Sequence, residues 1–151
     1  MLVYTITGKK YAADISGIGA ALTGGRWNQK GTVVVYTGGS REIALLENSV
    51  HTPPMLLPDL VLLTIQIPDD SITEILAEDL PPNWLEYPAP SILAEISEGW
   101  IKTGNSIALR VPGCIIRSAS NYILNCAHPN YRDKVKVIEH VDFHFDSRLK
   151  R

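Results

Sequence analysis

Three side chains in the first third of the chain are of types that do chemistry together: Arg26, Tyr36 and Glu47. Arg26 stands in the glycine-framed loop Gly24-Gly25-Arg26-Trp27-Asn28-Gln29-Lys30-Gly31. Tyr36 ends the run Thr32-Val33-Val34-Val35-Tyr36, and Glu47 lies in the helical stretch opened by Gly38-Gly39-Ser40. An arginine offers a planar bidentate donor to phosphate oxygens. A tyrosine adds an aromatic face or a hydroxyl, and a carboxylate can stabilise developing positive charge. Brought into one hollow, these are the parts of an anionic-ligand pocket.

The elements that must position them are legible in the pattern. Residues 33–35 form a β-branched run bounded by Gly31 and Gly38-Gly39, as a buried strand does. Ser40 is placed to cap the next helix, where Ile43, Leu46 and Val50 share a face at i, i+3 and i+7. Glu47 falls on or beside that face, where a carboxylate is costly to bury unless it is paired. Two readings stay open for it. Glu47 either snorkels to the helix edge or pairs with Arg26 or Arg41, or it lines a cleft beside Arg26 and Tyr36 and faces a polar ligand.

Composition narrows the class. A chain of 151 residues, 45% hydrophobic and 20% charged, suits one domain spanning residues 1–151 and excludes a disordered or fibrous protein. A net charge of -2 gives no electrostatic argument for nucleic acid or an anionic membrane surface. The amino terminus, Met1-Leu2-Val3-Tyr4-Thr5-Ile6-Thr7, alternates like a strand and lacks the basic start and apolar core of a signal peptide. No apolar run approaches the roughly 20 residues that span a bilayer, so a cytoplasmic setting is expected. Cys114 and Cys126 are read as small buried thiols.

Along the chain, residues 1–7 read as a strand and 8–11 as a turn. Residues 14–23 read as a loop rich in small residues, whose Gly17 and Gly19 give backbone freedom near the pocket. They do not open a dinucleotide fingerprint, because Leu22 occupies the third glycine position. Pro53 ends the Glu47 helix, residues 60–67 form a central strand, and residues 71–80 show helical spacing through Ile72, Ile75 and Leu76. Ser91 is expected to cap a second helix with Ile92, Leu93, Ile96 and Trp100 at i, i+1, i+4 and i+8, followed by a strand over 107–111. Residues 135–145 alternate, with His140, Asp142 and His144 on one face. That trio reads as a solvated strand face rather than a metal site.

The run Gly24-Gly25-Arg26-Trp27-Asn28, then Val34-Val35-Tyr36-Thr37, Ala44-Leu45-Leu46-Glu47 and His51, resembles the RES domain family. The likeness continues in Leu109-Arg110-Val111-Pro112, Asn121-Tyr122-Ile123-Leu124-Asn125 and His128-Pro129, in the family's order. It implies an α+β domain similar to ADP-ribosyltransferase toxins, with short strands around an NAD cleft. It further implies the toxin of an Xre-RES type toxin-antitoxin pair that consumes NAD as substrate, without a separate cofactor or metal. The partner would be an Xre-type antitoxin, and complexes of this kind commonly contain two toxin copies, which leaves the oligomeric state open. By resemblance, Arg26, Tyr36 and Glu47 are catalytic, and Arg26, Trp27, Tyr36, Glu47, Gly113 and Asn121 contact NAD. Arg26 would hold the pyrophosphate, Tyr36 would pack against nicotinamide or its ribose, and Glu47 would orient the ribose and stabilise the cation. Such chemistry ends in hydrolysis or phosphorolysis of the nicotinamide-ribose bond, or in transfer of ADP-ribose to a protein.

One namesake of the family is absent. The family's serine follows Val-Pro, whereas here Val111-Pro112 is followed by Gly113, with Ser118 and Ser120 further on. The readings are a natural variant in which backbone or water replaces the hydroxyl, an inactivated form, or a member that binds NAD without turning it over. Loss of a hydrogen bond that strengthens in the transition state costs about 1 to 3 kcal/mol, which slows an enzyme without abolishing it.

Overall fold

The computed structural model describes residues 1–51 and 59–149. Seven strands form one mixed sheet: β1 (Leu2–Gly8), β2 (Val34–Gly38), β3 (Leu60–Gln66), β4 (Ile72–Glu74), β5 (Ala108–Pro112), β6 (Ser120–Asn125) and β7 (Lys136–Phe143). Four α-helices accompany them: α1 (Ile18–Thr23), α2 (Arg41–His51), α3 (Ser91–Thr103) and α4 (Tyr131–Lys134). The order across the sheet is β4-β5-β6-β2-β1-β3-β7, antiparallel throughout except for the parallel pair β4 and β5. This is the α+β domain that the resemblance implied.

The sheet has a thin seam. β1 runs beside the whole of β3, yet it meets β2 at one paired position, Tyr4 with Gly38. The seam divides the sheet into a half of β4, β5, β6 and β2 and a half of β1, β3 and β7. One face of both halves closes on a shared core that joins Val3, Leu63 and Ile65 to Ala108, Tyr122 and Leu124. On the other face, α3 covers one half through Leu93 and Trp100, which pack with Leu109, Val111 and Ile123. Ala44 of α2 covers the other half, against Ile6, Leu60 and Leu62. Residues opposed across a ladder share a face. Ile123 opposes Tyr36 and Asn121 opposes Gly38, so the face beside the seam, between the two helices, carries Tyr36 and Asn121.

Several elements differ from the sequence reading. Residues 18–23 form a helix rather than a loop, and Gly17 serves it twice: its backbone is left-handed at φ 80°, and a Cβ there would lie 2.7 Å from the Val34 nitrogen. Residues 72–74 are a strand because they pair with Ala108, Leu109 and Arg110, and only residues 77–79 turn as a short 3-10 helix. Ser91 is the first residue of its helix, with Pro90 at the cap and no side-chain capping bond. In α2, Ser40 does cap, accepting the Ile43 N–H at 3.2 Å, but the inward residue is Ala44 and Val50 is 63% exposed. β7 lies at the sheet edge, so its alternation buries neither side fully: Val137 and Phe143 are half-buried while Ile138 and Val141 are exposed. Helix termination at Pro53 lies outside the described residues.

Candidate active site

The arginine loop is built from its glycines. Gly25 and Asn28 bridge each other through the Gly25 N–H and the Asn28 carbonyl at 2.9 Å, which leaves Arg26 and Trp27 at the corner of a tight turn. Trp27 is 3% exposed and its ring belongs to the core under α3. Trp27 therefore anchors the turn from below. Arg26 extends away from the core. Its Nη1 donates to the Trp84 carbonyl at 2.7 Å and its Nη2 to the Glu86 carbonyl at 3.1 Å. Both partners are neutral, so the guanidinium charge stays available to an anion.

Tyr36 fastens that turn to β2. Its hydroxyl donates to Asn28 Oδ1 at 2.6 Å and accepts the Trp27 N–H at 3.0 Å. Burial pushes the phenol up to about 12, against the opposing pull of those bonds and of the Arg26 charge. Gly25 is required here, since a Cβ at that position would stand 2.7 Å from the Tyr36 hydroxyl. Asn28, 2% exposed, donates its Nδ2 to the carbonyls of Ala20 at 2.9 Å, Thr32 at 3.2 Å and Gln29 at 3.3 Å. Asn28 stands in the Gly24-Gly25-Arg26-Trp27-Asn28 run that carries the family resemblance, but nothing in the sequence assigns its side chain a role. The Trp84 and Glu86 carbonyls carry no sequence signal at all, being main chain.

Glu47 pairs with neither arginine. Its Oε1 accepts from Asn121 Nδ2 at 2.9 Å, and its Oε2 lies 4.0 Å from His51 Nε2 one helical turn on. The carboxylate is 29% exposed, and Arg41 instead stacks over the Tyr4 ring at 4.8 Å. Asn121 and Tyr36 are diagonal neighbours on one sheet face, a relation that spans about 7–8 Å between Cα atoms. Linked by the turn that the Tyr36 hydroxyl fastens, the shared sheet face and the Asn121 bond, Arg26, Tyr36, Asn121 and Glu47 form a row beside the seam, with a cationic end on the loop and an anionic end on α2. The Asn121 Oδ1 is buried and has no hydrogen-bond partner.

Gly113 follows β5, two residues beyond the Val111 that opposes Asn121. It is buried in the turn after β5, where its N–H donates to the Ala119 carbonyl at 2.9 Å. A Cβ there would meet the Ile116 carbonyl oxygen at 2.3 Å, so this turn has no room for a side chain. Neither later serine fills the gap. Ser118 is exposed in the turn, and Ser120, next to Asn121 in an extended strand, faces the other way and accepts from Arg110 Nε at 3.0 Å. Cys114 and Cys126 are free and half-buried, and burial pushes the Cys126 thiol up to about 11.

The RES domain family matches residues 2–146. Among curated relatives, "Toxin Res" of Photorhabdus laumondii is 38% identical, covering 99% of this chain and 97% of the relative. "Toxin Res" of Yersinia enterocolitica is 34% identical, covering 99% and 100%. A Sphingobium protein named "Prs ADP-ribosylating toxin" is 33% identical over 93% of this chain and 89% of its own length. The fold is similar to that of a chain in the crystal structure of the M. tuberculosis MbcT-MbcA toxin-antitoxin complex. There the TM-score is 0.72 at 19% identity, over 94% of this chain and 83% of that one. By its sequence over nearly its whole length, this chain belongs to the RES domain family.

Proposed function

We propose that this chain is the toxin of a toxin-antitoxin pair and that it destroys NAD by breaking the bond between nicotinamide and ribose. The observation that supports the reading is the row from Arg26 to Glu47, with a cation on the loop at one end, a carboxylate on α2 at the other, and Tyr36 and Asn121 on one sheet face between them. Arg26 keeps N–H groups beyond those given to Trp84 and Glu86, and these meet the pyrophosphate. Glu47, steadied through Asn121, takes the ribose hydroxyls. As the glycosidic bond breaks, its electron pair leaves with the nicotinamide nitrogen, which departs neutral. The sugar becomes an oxocarbenium ion, and the Glu47 carboxylate stabilises it until an acceptor oxygen attacks. Because the leaving group is already cationic in NAD, no general acid is needed.

Water or inorganic phosphate then completes hydrolysis or phosphorolysis. Incubating the protein with NAD, with and without phosphate, releases nicotinamide if the reading is right. Free ADP-ribose or its 1-phosphate identifies the acceptor, and intact NAD after long incubation overturns the proposal. Transfer of ADP-ribose to a protein is a second reading, favoured by the name of the Sphingobium relative. Label from NAD would then appear on protein.

The toxin names of the relatives and the complex seen for the structural neighbour favour an antitoxin partner, of Xre type on the family's pattern. No helix among the described residues is long and apolar enough to cross a membrane, and the proposed setting is the cytoplasm, where NAD is at hand.

A further inference from the structure

We propose that Asn28 is a positioning residue of the site: its buried amide holds the Tyr36 hydroxyl and the Gly25 turn so that Arg26 meets a pyrophosphate in a fixed orientation. The assignment rests on the reading of Arg26 as the pyrophosphate ligand.

Three observations meet at this one side chain. Asn28 is 2% exposed, and both ends of its amide are engaged. Its Oδ1 accepts the Tyr36 hydroxyl at 2.6 Å, while its Nδ2 donates to the carbonyls of Ala20 within α1 and of Thr32 on the approach to β2. One amide therefore ties together the helix before the arginine, the turn that carries it and the strand behind it. The Tyr36 hydroxyl transmits the restraint, since it also receives the Trp27 N–H directly after Arg26.

No other side chain of that size fits the position. Aspartate lacks the donors and would bury a charge, serine is too short to reach both sides, and leucine would orphan the phenol and the carbonyls. Arg26 itself is long and flexible, and its two contacts to the Trp84 and Glu86 carbonyls fix only its tip. Without a fixed turn at its base, each ligand contact would carry the cost of ordering the chain that presents it.

The test is a double-mutant cycle read by calorimetry with ADP-ribose as the probe, because that ligand carries the pyrophosphate. In the parent background Asn28→Ala weakens ADP-ribose binding by about tenfold. In an Arg26→Ala background the same change has almost no further effect, because the residue through which Asn28 acts is gone. Tyr36→Phe, which removes only the connecting hydroxyl, reproduces the pattern and serves if Asn28→Ala does not fold. A loss of similar size in both backgrounds would mean general damage and would overturn the proposal, as would unchanged binding in the parent background.

NAD turnover separates this inference from the functional reading. A parent protein that binds ADP-ribose with the predicted coupling but leaves NAD intact keeps the positioning role and loses the enzymatic one. A parent that consumes NAD while Asn28→Ala matches it in KM loses the positioning role alone. No binding of ADP-ribose by the parent overturns both.

Discussion

At its arginine end the site is bound in from every side, with the Tyr36 hydroxyl, the Asn28 amide and the Trp27 ring all fastening one short turn. At its glutamate end the restraint among the described residues is the hydrogen bond from Asn121 with the looser His51 contact at 4.0 Å, and the carboxylate remains 29% exposed on α2. The difference follows from the proposed work of each end. A pyrophosphate carries its charge before and after the reaction, so a rigid receptor for it costs little reorganisation when it binds. The sugar acquires charge only in the transition state, and the group that meets it needs spare acceptor capacity toward the substrate. The Glu47 Oε2 has the His51 ring beside it at 4.0 Å, and the buried Asn121 Oδ1 accepts no hydrogen bond among the described residues.

The comparison breaks most sharply at Glu47. Glu47→Ala is expected to slow nicotinamide release by about a hundredfold or more while leaving the KM for NAD within a few-fold, since its contribution is made to the developing cation. Thermal denaturation should show little change, because the helix loses one half-exposed hydrogen bond. A variant as active as the parent would remove the carboxylate from the mechanism, and a large rise in KM with unchanged kcat would place it at the binding end instead.

The next effect tests whether the glutamate end lacks a hydroxyl. If the absent family serine were the missing part, Gly113→Ser would speed the reaction. The structure predicts the reverse: the new Cβ would fall 2.3 Å from the Ile116 carbonyl oxygen, and the turn must open to admit it. A stability loss of about 1–3 kcal/mol is expected, lowering Tm by several degrees without a gain in rate. A faster enzyme with an unchanged Tm would show that the turn yields easily and that the hydroxyl was wanted.

The same asymmetry marks what the sequence could and could not convey. The β-branched run before Tyr36 and the apolar run at Leu60 announced β2 and β3, because burial writes itself into side-chain type at each position. The chemical residues of the row were legible as types. Their partners were not. Ile72, Ile75 and Leu76 have helical spacing, yet pairing with a strand more than thirty residues away makes residues 72–74 extended, and no local window contains that partner. Val50 keeps the period of an inward face but is exposed, because the narrow contact of α2 with the sheet turns on Ala44. The sequence leaves Tyr36 an aromatic face or a hydroxyl to offer, and in the fold the hydroxyl binds the turn. That choice depends on where Asn28 and the Trp27 N–H come to rest, which only the folded chain fixes.

Asn121→Asp probes the junction of the two ends and should act through pH. A second carboxylate beside Glu47 disfavours ionisation of the pair, so the acid limb of the pH-rate profile should move to higher pH. At the optimum, a rate loss of roughly tenfold is expected from the lost amide donor. An unshifted acid limb would mean that ionisation of Glu47 does not govern the rate.

The smallest effect belongs to the rigid end and is a matter of stability alone. Folding raises Tyr36 from 10.0 to about 12, raises Cys126 from 9.0 to about 11, and raises Tyr131 as well, in each case mainly through burial. The folded chain therefore holds these protons where the unfolded chain has released them. Unfolding releases protons above about pH 9, and stability must fall as pH rises from there toward 12. Tyr36→Phe removes one of the three contributions, so denaturant midpoints for that variant should decline less steeply above pH 10 than those of the parent. At neutral pH the variant starts lower, by about 1–3 kcal/mol, because the Trp27 N–H and Asn28 Oδ1 lose their partner. Glu47→Ala, at the open end of the row, should leave the alkaline slope untouched. Equal slopes for Tyr36→Phe and the parent would show that the phenol ionises freely in the fold and that the arginine turn is not shut behind it.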